Sequence, residues 1–317
     1  MNLFEKLYTL IIFLAVVIGL SIGQVEPIRA NAESFIVPVL AAMLYITFLQ
    51  VPIEEIKKAF RNIKFTCTSI LINFVWTPVL AWLLAMVFLG GNPSLYIGFI
   101  MLMVTPCTDW YLIFTGIAKG NVALSTAILP LNLILQVLLL PVYLLLFGGT
   151  TGVIELGFLL ESILVVLFIP LILAVLTKYL VRNKQQLREN LLSKLSALPI
   201  MFLSLAIVAM FASQGQLLFD HLALMWQMTI PILLFFTINF FVGQKAGKLM
   251  RFPNADITSL NLTTLARNSP IALAIAMTAF PDQPLIALTL VIGPLLELPI
   301  LGIISQLILF ITKKKST

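Results

Sequence analysis

Apolar residues run through this chain in long blocks, each closed by glycine, proline and asparagine or by a short charged stretch. A helix needs about 20 apolar residues to cross the hydrocarbon core of a bilayer. On that measure the pattern predicts ten spans, at roughly 7–23, 35–52, 65–89, 95–118, 122–147, 157–180, 196–213, 222–243, 257–280 and 285–312. Gly90-Gly91-Asn92-Pro93, Gly120-Asn121, Gly148-Gly149 and Pro281-Asp282-Gln283-Pro284 mark breaks between them. Runs this long have to be helical, because hydrocarbon offers no partner to an unpaired N–H or C=O.

Composition agrees with a lipid solvent. Hydrophobic residues make up 61% of the 317 and charged residues 10%, against about 25% charged in soluble domains. The placement of the basic residues carries more information than the net charge of +6. Seventeen of the 19 Lys and Arg fall at the N-terminus, in alternate loops and in the tail: Lys6, the group around Lys57 to Lys64, Lys119, five from Lys178 to Lys194, Lys245 to Arg251, and Lys313 to Lys315. The other loops hold only Arg29, and Arg267 lies inside a span. Such asymmetry predicts both termini in the cytoplasm. It also speaks against a nucleic-acid partner, which would need the charge gathered on one face or tail. The first residues resemble a signal peptide, but no small-x-small site follows, so cleavage is not expected. Cys67 and Cys107 are too few for a disulfide framework, and with one at the start of a predicted span and the other mid-span no bridge between them is expected.

The loop between the fifth and sixth spans, Gly148–Phe158, is short and carries no Lys or Arg. The two five-span halves, about 1–150 and 151–317, therefore run in opposite senses. The expectation is an all-α polytopic membrane protein forming a single transmembrane domain of two inverted repeats, an architecture common among secondary transporters.

Spans 4 and 9 carry matched interruptions. The fourth reads Val104-Thr105-Pro106-Cys107-Thr108-Asp109 and the ninth Ala266-Arg267-Asn268-Ser269-Pro270. Proline supplies no N–H and clashes with the preceding turn. A hydroxyl residue before proline suits a helix start, with Thr105 and Ser269 as N-caps and Pro106 and Pro270 at the first helical position. Both spans are predicted to break near mid-membrane, each restart aiming a positive helix end into the protein. Simple proline kinks in continuous helices are the other reading.

Ionisable residues at that depth cost at least ~2.5 kcal/mol each. Asp109 and Arg267 must face protein or water, and an ion pair between them where the broken helices meet is the economical arrangement. It could serve only to hold the halves together, or open and close with substrate or a proton. Glu297, flanked by Leu296, Leu298 and Pro299, has no basic neighbour in sequence and suits a proton-carrying role. Glu161 is placed toward an interface and His221 in an exposed loop. Asn73, Asn132, Gln136, Asn239, Asn261 and Asn268 add polarity at depth; several are expected to serve helix packing only, and Asn132 and Asn268 are assigned to the crossing. Cys107 is either an inert small hydrophobe or, near a helix restart, a thiol suited to soft metals and metalloids.

Pro106-Cys107-Thr108, Ala118-Lys119-Gly120-Asn121, Leu131-Asn132 and Leu135-Gln136-Val137 resemble the bile acid:sodium symporter superfamily, closest to its arsenite efflux permease branch, the yeast-type arsenical-resistance family. Val291-Ile292-Gly293-Pro294-Leu295-Leu296-Glu297-Leu298-Pro299 and Ala274-Ile275-Ala276 resemble late segments of that branch. The resemblance implies a panel domain (spans 1, 2, 6, 7), a core domain (3–5, 8–10) and crossing broken helices 4 and 9. It implies that Cys107 and Glu297 act in arsenite transport driven by the proton gradient. Two departures stand out. Asp109 and Arg267 are foreign to the arsenite permease pattern. The Ser-Asn and Glu/Gln ligands of the sodium-coupled branch are replaced by Tyr111-Leu112 and Thr263/Arg267, so no sodium dependence is expected.

Two transport readings follow. In one, neutral arsenite or a related oxyacid meets Cys107, Thr105 and Thr108, while Glu297 or the Asp109–Arg267 pair exchanges a proton. In the other, Arg267 holds the carboxylate of a small organic anion beside Asn132, Asn268 and Ser269. No metalloprotease motif, catalytic aspartate pair or phosphate loop is present, so neither enzyme activity nor a bound metal or cofactor is expected. Membrane lipid and a small-molecule substrate are the expected partners. The bacterial inner membrane is the expected location, and the sequence leaves monomer against homodimer open.

Overall fold

The computed structural model describes residues 8–52, 56–108, 110–149, 156–181, 195, 198–220 and 222–314. Among them every regular element is helical, and the one β feature is an isolated bridge between Pro106 and Arg267. Among the described residues six helices are long and apolar enough to cross a membrane: Glu26–Gln50, Phe60–Leu89, Val122–Gly148, Gly157–Val181, Trp226–Leu249 and Pro284–Ile311. The protein is a multi-pass membrane protein. Large apolar side chains at the surface, such as Phe13, Phe35, Tyr179 and Leu180, have hydrocarbon to face.

The chain forms two compact units. The first comprises Met1–Val51, Ile154–Ala223 and Pro270–Val291. Its helices include α1 (Tyr8–Ile22), α2 (Glu26–Gln50), α7 (Gly157–Val181) and α8 (Leu198–Asp220). α8 packs along both α1 and α2, and α7 along α2. Glycine makes the closest approach. A Cβ on Gly19 would stand 2.7 Å from the carbonyl oxygen of Val208, and one on Gly23 2.5 Å from that of Ala212. Small residues four apart let membrane helix backbones meet in this way. Polar ties fix one end of the unit: Tyr45 Oη and Thr177 Oγ1 lie 2.9 Å apart, and Lys178 Nζ donates to Val51 O at 2.6 Å.

α2 starts at Glu26, nine residues before the predicted span. Polar residues from Glu26 to Glu33 shorten an apolar run without breaking a helix. Pro27 suits the first turn, and Arg29 pairs with Glu26 at 3.0 Å.

The second unit comprises Pro52–Val153, Leu224–Ser269 and Ile292–Thr317. It holds α3 (Phe60–Leu89), α4 (Pro93–Val104), α5 (Trp110–Ile117), α6 (Val122–Gly148), most of α9 (Leu222–Leu249) and α10 (Asn254–Leu265). α11 (Ser269–Ala279) and α12 (Pro284–Lys314) pass from one unit's residues to the other's. Asparagine caps the starts of α4 and α6 and, within α3, the point where the opening 3-10 turn Phe60–Asn62 gives way to α-helix. Asn62, Asn92 and Asn121 each accept from the backbone N–H three residues on, at 3.1–3.2 Å. Asn121 also donates to Asp256 Oδ1 at 2.9 Å, tying the start of α6 to that of α10. α9 runs to Leu249, beyond its predicted end at 243, because the amphipathic Gln-Lys-Ala-Gly-Lys stretch keeps helical geometry until Arg251 turns left-handed at φ 58.

α3 contains a π-helical turn, Ile72–Trp76. There the Phe74 carbonyl accepts the Tyr143 hydroxyl at 2.6 Å, and Trp76 Nε1 donates to Asn239 Oδ1 at 2.9 Å. The turn sets the direction of Asn73, which reaches the site described next.

Candidate functional site

Both interruptions lie in the second unit, and the main chain joins them. α4 stops at Val104 and α10 at Leu265. The next residues are extended, Thr105 with φ −102 and ψ 101 and Ala266 with φ −70 and ψ 139. Cys107 N–H donates to Ala266 O at 3.0 Å, and Asn268 N–H donates to Thr105 O at 2.7 Å. These are the two hydrogen bonds of an antiparallel bridge. Pro106 sits between them, where its missing N–H is not needed.

This pairing corrects the expected restarts. Thr105 is the C-cap of α4, not the N-cap of a following helix, and its hydroxyl turns back to Met101 O at 2.9 Å. Pro106 is not a first helical residue, since α5 starts at Trp110. α11 starts at Ser269, which puts Pro270 second. Cross-chain pairing demands extended backbone over three residues, and the helices restart only beyond it.

Arg267 is fully buried. Its Nη1 donates to Met103 O at 2.8 Å, its Nε to Leu265 O at 3.0 Å and its Nη2 to Asn73 Oδ1 at 3.1 Å, with a further bond from Nη2 to Thr264 O. The Phe235 ring lies over its Cζ at 5.4 Å. Met103, Thr264 and Leu265 are the last carbonyls of α4 and α10, the groups a helix leaves without internal partners. Each such end carries about −0.5 elementary charge. The guanidinium thus caps two negative helix ends. The anticipated Asp109 pair lies outside the described residues, as does His221. Of the five N–H groups a guanidinium offers, four already have acceptors here.

Glu297 approaches the same residue from α12. Its Oε1 accepts the Arg267 backbone N–H at 2.7 Å, and among the described residues its Oε2 has no hydrogen-bond partner. The carboxylate is 1% exposed. Cys107 is equally buried and in no disulfide. Asn268 Nδ2 donates to Thr108 Oγ1 at 3.2 Å. Thr105, Cys107, Thr108, Arg267, Asn268 and Glu297 are thereby linked into one cluster, with Ser269 next in the chain. Asn132 is buried on α6, which packs against α4, α5 and α10; both its side-chain polar atoms, and both of Gln136 one turn on, lack hydrogen-bond partners among the described residues. Glu161 is exposed on α7. Asn73, not one of the two asparagines assigned to the crossing from sequence, is a direct partner of the guanidinium. The carbonyls of Met103, Thr264 and Leu265 had no signal in the sequence, because any residue supplies one.

Residues 37–221 match the family model for the Sodium Bile acid symporter family. The chain is 25% identical to the arsenical-resistance protein Acr3 of Corynebacterium glutamicum, across 83% of its own length and 74% of that protein's. It is 22% identical to Acr3 of Alkaliphilus metalliredigens, covering 94% of this chain and 90% of the relative. An uncharacterized transporter of Synechocystis is 23% identical over 95% and 87%. With more than half of its residues matched, and with apolar helices framing a buried polar cluster, the chain belongs to the Sodium Bile acid symporter family and is a membrane transporter.

Proposed function

We propose that the chain exports arsenite or a related metalloid oxyacid from the bacterial cytoplasm, as a secondary transporter driven by protons and independent of sodium. One observation carries this reading. The thiol residue and the carboxylate hang on consecutive residues of one extended segment: Cys107 N–H on Ala266 O, and Glu297 Oε1 on Arg267 N–H. A thiol offers a soft ligand to arsenic. Beside it, Thr108 and Asn268 offer polar contacts to hydroxyls, and Glu297 Oε2 has room for a proton. Two of the relatives bear the name arsenical-resistance protein. The organic-anion reading is less well supported, because the Arg267 donors are engaged on carbonyls.

The frame of this proposal is ten spans in two inverted five-helix repeats, with both termini cytoplasmic. The six long helices, Leu10–Ile22, Leu198–Ser213 and the two interrupted pairs support that count. The membership of the two compact units supports a division into panel and core.

The test is arsenite resistance in a metalloid-sensitive strain, with expression verified. Wild type is expected to confer resistance and Cys107→Ser to lose most of it. Unchanged sensitivity in the wild type removes the substrate. Resistance that survives Cys107→Ser removes the thiol's role and leaves the transporter. In inverted vesicles, replacing Na⁺ by K⁺ at fixed pH is expected to leave the flux unchanged.

A further inference from the structure

The ligands of Arg267 are of an unusual kind for a buried charge. Among the described residues no carboxylate lies within ion-pair distance of it; the ion pair present there is Arg29 with Glu26. Its guanidinium donates to neutral oxygens, Met103 O, Thr264 O, Leu265 O and Asn73 Oδ1, under the Phe235 ring, while the Glu297 carboxylate acts on the charge from beyond hydrogen-bond reach of the guanidinium. Carbonyls at the C-terminal ends of interrupted membrane helices, joined by a side-chain amide, form the ligand set on which transporters hold small coupling cations. With no carboxylate among these ligands, the set suits a monovalent ion; divalent sites usually recruit carboxylates.

We propose that Arg267 is a tethered cation: its guanidinium fills a carbonyl cage that would otherwise bind a free alkali ion. The residue lies within the bridge, with Glu297 on its own N–H, so the charge is delivered into the cage by the backbone that also joins the two breaks. A covalently held cation cannot dissociate. The cage then contributes a fixed charge to every state of the transport cycle and no ion to its stoichiometry. Removing the side chain while keeping the cage should restore an exchangeable site. The inference concerns the cage alone and does not depend on the substrate proposed above.

The experiment is thermal denaturation of purified protein in detergent, in chloride salts of sodium, lithium, potassium and choline at matched ionic strength. Wild type is expected to melt at the same temperature in all four. Arg267→Ala is expected to melt lower in choline and to recover with sodium or lithium along a saturating curve. A rise of about 5 °C is expected at a concentration near 100-fold the dissociation constant. Adding Asn73→Ala to Arg267→Ala should shift that curve to higher concentration. An Arg267→Ala protein indifferent to all four salts overturns the proposal. Should that variant yield no folded protein in any salt, Arg267→Lys and Arg267→Gln decide. Folding of the Lys variant alone supports a required charge. A folded Gln variant without a cation response, or loss of both variants, rejects it. Failure of arsenite export in wild type, with the cation response of Arg267→Ala intact, would remove the substrate and leave the cage.

Discussion

Glu297 performs two separable tasks with its two oxygens. Oε1 accepts a buried main-chain N–H, and Oε2 is unpartnered among the described residues. Glutamine keeps the acceptor and removes the titratable group; leucine removes both. Glu297→Gln is therefore expected to melt close to wild type while losing transport. Glu297→Leu strands the Arg267 N–H in a dry interior and should cost about 1–3 kcal/mol, measurable as a lower melting temperature. If the two variants melt alike, Oε1 does not support the bridge. Sequence singled out Glu297 as a charge within an apolar run and Cys107 by its place beside Pro106, although a buried cysteine by itself is ordinary. For Arg267 it offered only an acidic side chain as partner, because only side chains can be searched for in a sequence. The carbonyl ends that hold it become visible once two helices are known to stop in the same place.

At the scale of elements, apolar run length and glycine, proline and asparagine punctuation marked most helices to within a few residues. The asparagine starts at 62, 92 and 121 hold the capping bonds their residue type favours. The matched Thr-Pro and Ser-Pro pairs flagged both interruptions. The restart positions were not legible, because the bridge pairs residues more than 150 positions apart and local rules do not encode it. Helix contact is open to a direct test. Gly19 in α1 and Gly23 just past its end bring backbone against backbone on α8. Gly23→Leu sets a side chain against the Ala212 carbonyl, which cannot move aside without shifting its helix. A loss of about 1–3 kcal/mol is expected on thermal unfolding. Gly91→Ala, where a new Cβ meets nothing within 4 Å, should melt as wild type does. Equal behaviour of the two would show that α1 does not depend on close approach.

For the whole molecule, charge asymmetry is the strongest guide to orientation, and it comes from residues between helices. A chain truncated after Arg251 and fused to a fluorescent protein is expected to fluoresce from the cytoplasm. A chain truncated after Asp282 and fused to alkaline phosphatase is expected to show enzyme activity outside it. The reverse pattern would invert the proposed topology, and activity at neither junction would break the span count. Composition pointed to the solvent and run lengths to the helices, while the direction that loop charges predict is what these fusions test. The polar cluster needed coordinates, since its partners come from α3, α4, α9, α10 and α12.

The π-helical turn at Ile72–Trp76 brings this dependence down to one residue. Such a turn holds one residue more than the α-helix it interrupts, and each residue rotates a helix by about 100°. Asn73 owes its aim at the guanidinium to that surplus. A deletion inside the turn would barely alter the length or oiliness of α3, yet it would swing another side chain to Arg267. The chemistry of this centre is thus sensitive to reading-frame-preserving indels in a segment where hydropathy would register no change.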